Sequence, residues 1–396
     1  MSLSASRATI PNHNQRLVLD LVRTRGPISR ADIVRLSKLT FPSVSRIVGE
    51  LIDRDLIAEK RQRRGGMGKP PTELELNPGS AYSLGLSLDN DRLTGILVDL
   101  SGTALAQETI ELADTSPSTV VPLMRELSDR LIAAQSAPRH LLLGLGVSLP
   151  APLHTDKIVS PTSTSLDALD EWQAINLADL LTQHVGCPVL LDNNATAAAI
   201  AERWYGVGRE MSDFLYIFVA QGFGAGVILG GQPHCGFRGF GGELASAPVY
   251  NVQNGDAKDL GHHAAPRHLF KQLSEAGLGT NLSDLETLYE NKNEIVMNWL
   301  EQTAITLAPV LVSSECLLDP EAIVFGGRFP ANLTDALMEH VSRHFPEYWH
   351  EAKTYRAQLV RGATGEYVAA LGAAALPIYQ AMTPDAVSSR LIAQRA

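Results

Sequence analysis

Cysteine is scarce: three residues in 396, at positions 187, 235 and 316. Their odd number and wide spacing exclude a disulfide framework and point to a reducing compartment, the cytoplasm. The N-terminus lacks the charged-then-apolar layout of a secretory signal. No apolar run reaches the roughly 18 residues that a membrane helix needs, so no membrane partner is expected. No short internal repeat is visible, which excludes a solenoid, although two halves of similar layout fit the pattern of elements. The length exceeds one ordinary core and predicts two or three domains.

Positive charge is also in deficit. The net charge is −10, which by itself argues against a nucleic-acid partner. The distribution reverses that reading: residues 1–76 carry a net +6 and the remainder −16. A basic head on an acidic body is the expected layout of a DNA-binding domain fused to a small-molecule domain.

The head reads as three helices and a hairpin. Leu17, Leu19, Leu21 and Val22 supply the apolar face of a first helix that ends at Gly26-Pro27. Ser29 is suited to cap a second helix, with Asp32 in a capping-box-like position, and Ile33, Val34 and Leu36 are expected to face inward. Thr40 can cap a third helix with Pro42 in its first turn, and Val44, Ile47, Val48, Leu51 and Ile52 form its buried stripe. That helix exposes Ser43, Ser45 and Arg46, groups that can bond phosphates or base edges. Two alternating segments follow, joined by a basic, glycine-rich tip running from Lys60 to Pro70. The spacing predicts a helix-turn-helix followed by a wing, with Arg61, Arg63, Arg64 and Lys69 placed to track phosphates or enter a minor groove. An ordinary helical hairpin with a solvated charge run is the alternative.

From Tyr82 onward strands and helices alternate, predicting an α/β body with a mixed sheet. Strands are expected at 82–88, 93–100, 104–110, 141–149, 189–191, 214–220 and 227–229, and helices at 117–135, 177–185 and 195–204. Residues 221–226 read as a glycine-rich turn.

The order of motifs resembles the ROK family (repressors, open reading frames, sugar kinases), in its repressor branch. In the head the likeness is carried by Gly26-Pro27-Ile28-Ser29-Arg30, Ser43-Val44-Ser45-Arg46 and Gly68-Lys69-Pro70. In the body it is carried by Gly146-Val147-Ser148-Leu149-Pro150, Asp192–Ala198, Gly222-Phe223-Gly224-Ala225-Gly226, Gly241-Gly242-Glu243 and Gly326-Gly327. The resemblance implies a winged helix-turn-helix followed by a two-lobed α/β, actin-like or hexokinase-like domain. The expected divisions are 1–78 for the head, 79–194 for the first lobe (completed by a C-terminal helix at 377–396) and 195–376 for the second lobe. It adds Ser29, Arg30 and Thr40 to the DNA-facing set. It also implies that Asn193, Asn194, Glu243 and Ser246 face a ligand in the cleft.

Three departures separate this chain from the family's kinases. The phosphate loop Asp-x-Gly-Gly-Thr is replaced by Ser87-Leu88-Asp89-Asn90-Asp91, where two carboxylates stand in the path of phosphates. The catalytic base of an Asn-Asp pair is replaced by Asn194, and an amide cannot take a proton; Asp192 is poorly placed to substitute. The zinc-site His of relatives falls on Ser246, the family's cysteine cluster is missing from 247–265, and Cys235 and His262-His263 lack the spacing of a four-ligand site. The expectation is therefore a regulator, most simply a repressor, with no catalytic residues, metal or cofactor. Its partners would be double-stranded operator DNA and a small sugar, sugar phosphate or polyol effector, and it would be a homodimer or homotetramer. Two rivals stand beside it: an ATP-dependent sugar kinase with an accessory DNA-binding head, and a repressor controlled by a protein partner.

Overall fold

The computed structural model describes residues 12–61, 72–135, 138–154, 157–158, 168–250, 257–345 and 356–382. Its head holds helices His13–Arg25, Arg30–Ser37 and Phe41–Asp53, and strands Ile28–Ser29, Ile57–Arg61 and Thr72–Leu76. The three strands form one antiparallel sheet with Thr72–Leu76 in the centre. Local chemistry fixes the helix starts. The Ser29 hydroxyl accepts from the Asp32 N–H at 3.2 Å and donates to the Asp32 carboxylate at 2.7 Å. Thr40 accepts from the Ser43 N–H, and Pro42 occupies the first turn.

The buried faces differ in part from those expected. In the first helix Val18, Leu19 and Val22 are buried, whereas Leu17 and Leu21 flank the stripe half-buried. In the second, Ile33 alone is buried and Leu36 is 47% exposed. Eight residues make little more than two turns, and only one row of such a helix can face the core.

The body contains two five-stranded sheets with the same strand order. In the first, the meander Tyr82–Leu88, Arg92–Asp99, Ala104–Glu111 is extended on its first strand by Leu142–Leu149 and then Val189–Asn193, both parallel. In the second, the meander Phe214–Val219, Phe223–Leu229, Gln232–Pro233 is extended in the same way by Ala322–Gly327 and Gln358–Arg361. Two halves of matching layout are thus present, each covered by its own aliphatic core.

Residues 223–226 belong to a strand, not to the glycine-rich turn expected there. The cause is the helix Asn194–Tyr205 lying against that strand: a Cβ on Gly226 would sit 2.4 Å from the Ala195 carbonyl oxygen. The C-terminal helix runs Val368–Met382, starting nine residues before the expected 377, and residues 383–396 lie outside the described residues. It presses on the first sheet and on Asn194–Tyr205. A Cβ on Gly146 would meet the Ala373 carbonyl oxygen at 1.8 Å, and one on Gly372 the Ala197 carbonyl oxygen at 1.7 Å. Small residues here permit backbone-to-backbone packing.

One helix departs from the expectation about membranes. Glu294–Leu318 is 25 residues long and apolar enough to cross a bilayer by length and composition. Half of its apolar window is buried in this protein, and Trp299, Leu300, Leu307 and Leu311 pack in the core of the second lobe.

Head and body share a single apolar cluster. Val18, Leu19 and Val22 of the first helix join Ile200, Trp204, Ala374 and Ile378 of the body. The Arg23 guanidinium lies 3.8 Å over the Trp204 ring, which also packs at a tilt against Tyr379, centroids 5.8 Å apart.

Candidate functional site

The cleft between the lobes meets at the N-terminus of helix Asn194–Tyr205. The parallel strand Val189–Asn193 ends there, and the Asn193 side-chain oxygen caps the helix by accepting from the Ala195 N–H at 2.8 Å. Asn194 is buried. Its amide donates to the Leu88 carbonyl oxygen at 2.9 Å, and its own oxygen is 3.5 Å from the Ser87 hydroxyl. The Asn194 amide therefore ties the cleft helix to the end of the first strand. Asp192 does not line the cleft; its carboxylate accepts from the Asn193 N–H at 2.8 Å.

Glu243 approaches from the opposite lobe on a glycine-rich loop. Gly242 lies at φ 90°, and a Cβ there would strike the Ala225 carbonyl oxygen at 2.3 Å. Burial pushes the Glu243 carboxyl up to about 6. Near neutral pH a share of molecules carries a protonated acid there, able to donate to a hydroxyl as well as accept from one. Asn193, Asn194 and Glu243 line one chamber together with Asp89, Phe218 and Arg267; Ser246 is not among its lining residues. Arg267 escaped the sequence reading. It stands in the first turn of helix Pro266–Glu275, anchored by its N–H to the Gln221 carbonyl oxygen at 3.0 Å.

The substituted phosphate loop has a definite structure. Asp89 and Asp91 flank the tight turn between the first two strands, closed by the Asp89 N–H donating to the Arg92 carbonyl oxygen at 2.9 Å. Arg328 reaches them from the second lobe. It follows Gly327, whose φ of 118° places a would-be Cβ 2.2 Å from the Val219 carbonyl oxygen, so only glycine fits. The Arg328 guanidinium contacts Asp89 at 2.6 Å and both oxygens of Asp91 at 2.6 and 2.9 Å. Burial opposes charge on Asp91, yet the Arg328 hydrogen bonds and charge outweigh it and hold that carboxyl below the ordinary carboxylate range. The two acids thus form an ion triad across the lobes, a use beyond repelling phosphate. Arg328 lines both neighbouring cavities, of about 350 and 310 Å³, and so stands between them.

No three His, Cys, Asp or Glu side chains among the described residues gather as metal ligands. His262 instead meets His263 edge to face and His268 at a tilt, and lies 3.0 Å from the Lys258 ammonium.

The head candidates are distributed as follows. Ser43, Ser45 and Arg46 share the third helix, with Arg46 paired to Glu50 one turn on. Arg30 pairs with Glu59 at 2.6 Å, and the Ser29 and Thr40 hydroxyls act as helix caps. Arg61 ends a strand, its side chain lying outside the described residues; Arg63, Arg64 and Lys69 lie outside them entirely.

The ROK family model matches residues 83–379, three-quarters of the chain. The chain belongs to the ROK family. It is similar to the xylose repressor of Bacillus spizizenii, 24% identical over 94% of this chain and 97% of that protein. Its fold matches that of a ROK family transcriptional regulator described as a homologue of the E. coli MLC protein. That likeness has a TM-score of 0.74 at 22% identity, covering 97% and 99% of the two chains. A ROK glucokinase from Streptomyces griseus, solved with glucose and AMPPNP, matches with a TM-score of 0.63 at 19% identity. It covers 75% of this chain and 99% of its own. The two-lobed actin-like, hexokinase-like body is therefore that of the ROK fold, and the head lies outside the residues that the family model matches.

Proposed function

We propose that this chain is a DNA-binding repressor of carbohydrate-metabolism genes whose ROK body senses a sugar or polyol and does not phosphorylate it. The observation that carries this reading is the Arg328 triad with Asp89 and Asp91, which puts an internal ion pair where a kinase cradles phosphate. The Asn194 amide, committed to Leu88, supports it, since the residue aligned with the kinases' catalytic base cannot take a proton. The repressor names of relatives along nearly the whole chain support the regulatory role.

In this reading the head is a winged helix-turn-helix and Phe41–Asp53 its recognition helix. The Arg46–Glu50 pair is exposed, and exposed ion pairs add little stability, so exchanging Glu50 for a phosphate costs little. Two copies in a homodimer or homotetramer would present two heads to a pseudo-palindromic operator. We keep the limits 1–78 and 79–194 and end the second lobe at 367 in place of 376, because helix Val368–Met382 joins the first lobe. Effector contact is assigned to Asn193, Asn194, Glu243 and Arg267. The chamber they line holds about 70 Å³, well under the roughly 300–1,000 Å³ of ordinary small-ligand sites. A sugar would therefore need the lobes to part before entering. Helix Asn194–Tyr205, roughly 18 Å long, has the chamber at its start and Trp204, which carries the head, at its end. Lobe motion would thereby move the heads, in proportion to the effector's differential affinity for the two arrangements.

Control by a protein partner is the second reading, favoured by two aromatic rings, Phe237 and Phe240, 90% and 40% exposed on the loop that carries Glu243. A thermal-shift panel of sugars and polyols, followed by operator binding across a salt series, tests the proposal. A panel hit should raise the melting temperature and change operator affinity. Replacing Arg46 and the basic tip should flatten the salt slope by about one per lost phosphate contact. ATP-dependent turnover of any panel sugar, or operator affinity indifferent to those residues, would overturn it.

A further inference from the structure

Large apolar side chains stay exposed at five described positions, and two of them, Leu36 and Phe41, are in the head. Phe41 is 55% exposed although it opens the third helix, whose Val44, Ile47, Val48 and Leu51 are buried. A single exposed apolar residue needs no explanation on an ordinary surface. This one stands at the N-terminal end of the helix assigned to the major groove, where residues of a recognition helix approach base edges. Pro42 and the Thr40 cap fix the backbone on either side of it.

Four polar side chains of the head near this face are already engaged within it. The Thr40 and Ser43 hydroxyls lie 2.9 Å apart and bond each other, Arg46 is paired with Glu50, and Arg30 with Glu59. The Phe41 ring offers no hydrogen bond to a base. The one apolar feature of the major groove is the 5-methyl group of thymine, and Phe is among the side chains that pack on it. We propose that Phe41 is a specificity-determining residue that reads a thymine methyl group in each operator half-site. This rests on the DNA-binding reading above and adds the chemistry of one recognised base.

The test uses the full-length chain and an operator selected from a randomised duplex pool. Each thymine of the selected site is replaced in turn by deoxyuridine, which removes the methyl and nothing else. One thymine per half-site should lose affinity about fourfold, the worth of one buried methyl group. In Phe41→Ala that loss should vanish, while Phe41→Leu should retain part of it. The salt slope should match the wild type, because no phosphate contact is removed. Circular dichroism checks that each variant is folded, which the exposure of Phe41 favours.

Uracil that is neutral at every thymine, or equally costly in wild type and Phe41→Ala, overturns the assignment. If that happens with a normal salt slope, only the Phe41 inference fails. If the chain selects no duplex at all, the DNA-binding reading fails with it.

Discussion

Replacing Arg328 by Met keeps the length and packing of the side chain and removes its charge. The triad is mostly buried: Arg328 is 11% exposed, Asp89 7% and Asp91 32%. At an effective dielectric of ~20, each close pair is worth about 4 kcal/mol of attraction. Desolvation of three ions cancels much of that, so the net value of the triad is small. The variant fares worse than the net value suggests, because two carboxylates are left facing each other without the guanidinium that bonded both, and only the more distant Arg92 charge remains near Asp91. Breaking a buried pair in this way costs roughly 3–5 kcal/mol, and the partial exposure of Asp91 puts the expectation near the lower figure. The assay is urea unfolding at pH 7.5, repeated at lower pH.

The sign of the pH dependence follows from Asp91. Its carboxyl is held below the ordinary value of 3.8, so the stability it contributes is present above 3.8 and is lost as pH falls through the folded-state value. The gap between wild type and Arg328→Met should therefore close at acid pH. A second comparison controls for side-chain packing: adding Asp89→Asn and Asp91→Asn to the variant should recover most of the loss. A gap below about 1 kcal/mol at pH 7.5 would show that the lobes are not held here, and a gap independent of pH would sink the electrostatic argument.

Two further outcomes can be checked. The folded state holds the Glu243 proton more tightly than the unfolded chain, with its carboxyl moved from 4.5 to about 6. Its contribution is therefore present below 4.5 and lost as pH rises toward 6, a cost of about 2 kcal/mol at neutral pH. Glu243→Gln should then be more stable than wild type at pH 7.5 and equal to it near pH 4; identical pH profiles would refute this. Asn194→Asp should lower the melting temperature, because an ionised carboxylate cannot donate to the Leu88 carbonyl and would leave it unpaired, at roughly 1–3 kcal/mol. It should also gain no sugar phosphorylation with ATP, since Arg328 still spans the phosphate position. Turnover in that variant would reverse the conclusion.

What could be read in the sequence follows the range of the forces involved. Ser29, Thr40 and Pro42 marked helix starts correctly because a cap acts within three residues. Leu36 was misplaced because apolar spacing in an eight-residue helix does not say which side meets the core. Residues 221–226 read as a turn, since glycine is common in turns. The actual constraint on Gly226 is a helix that packs on it from some thirty residues upstream. Asn193, Asn194 and Glu243 line one chamber, whereas Ser246 is not among its lining residues. Arg328 could not be foreseen: its partners precede it by 239 and 237 residues, and only the closure of two lobes brings them together.

The apolar seam joining Val18, Leu19 and Val22 to Trp204 and Ile378 limits how freely this architecture can be recombined. A head tethered by a linker could be cut away or exchanged as a cassette. Here the first helix is part of the body's own interior surface, and Arg23 lies on the face of Trp204. A body expressed alone would turn that indole and its apolar neighbours out to water. A head grafted from another family member would have to bring a matching counterpart for them. Change of operator preference is thus freer in the exposed face of the third helix than in the head as a whole.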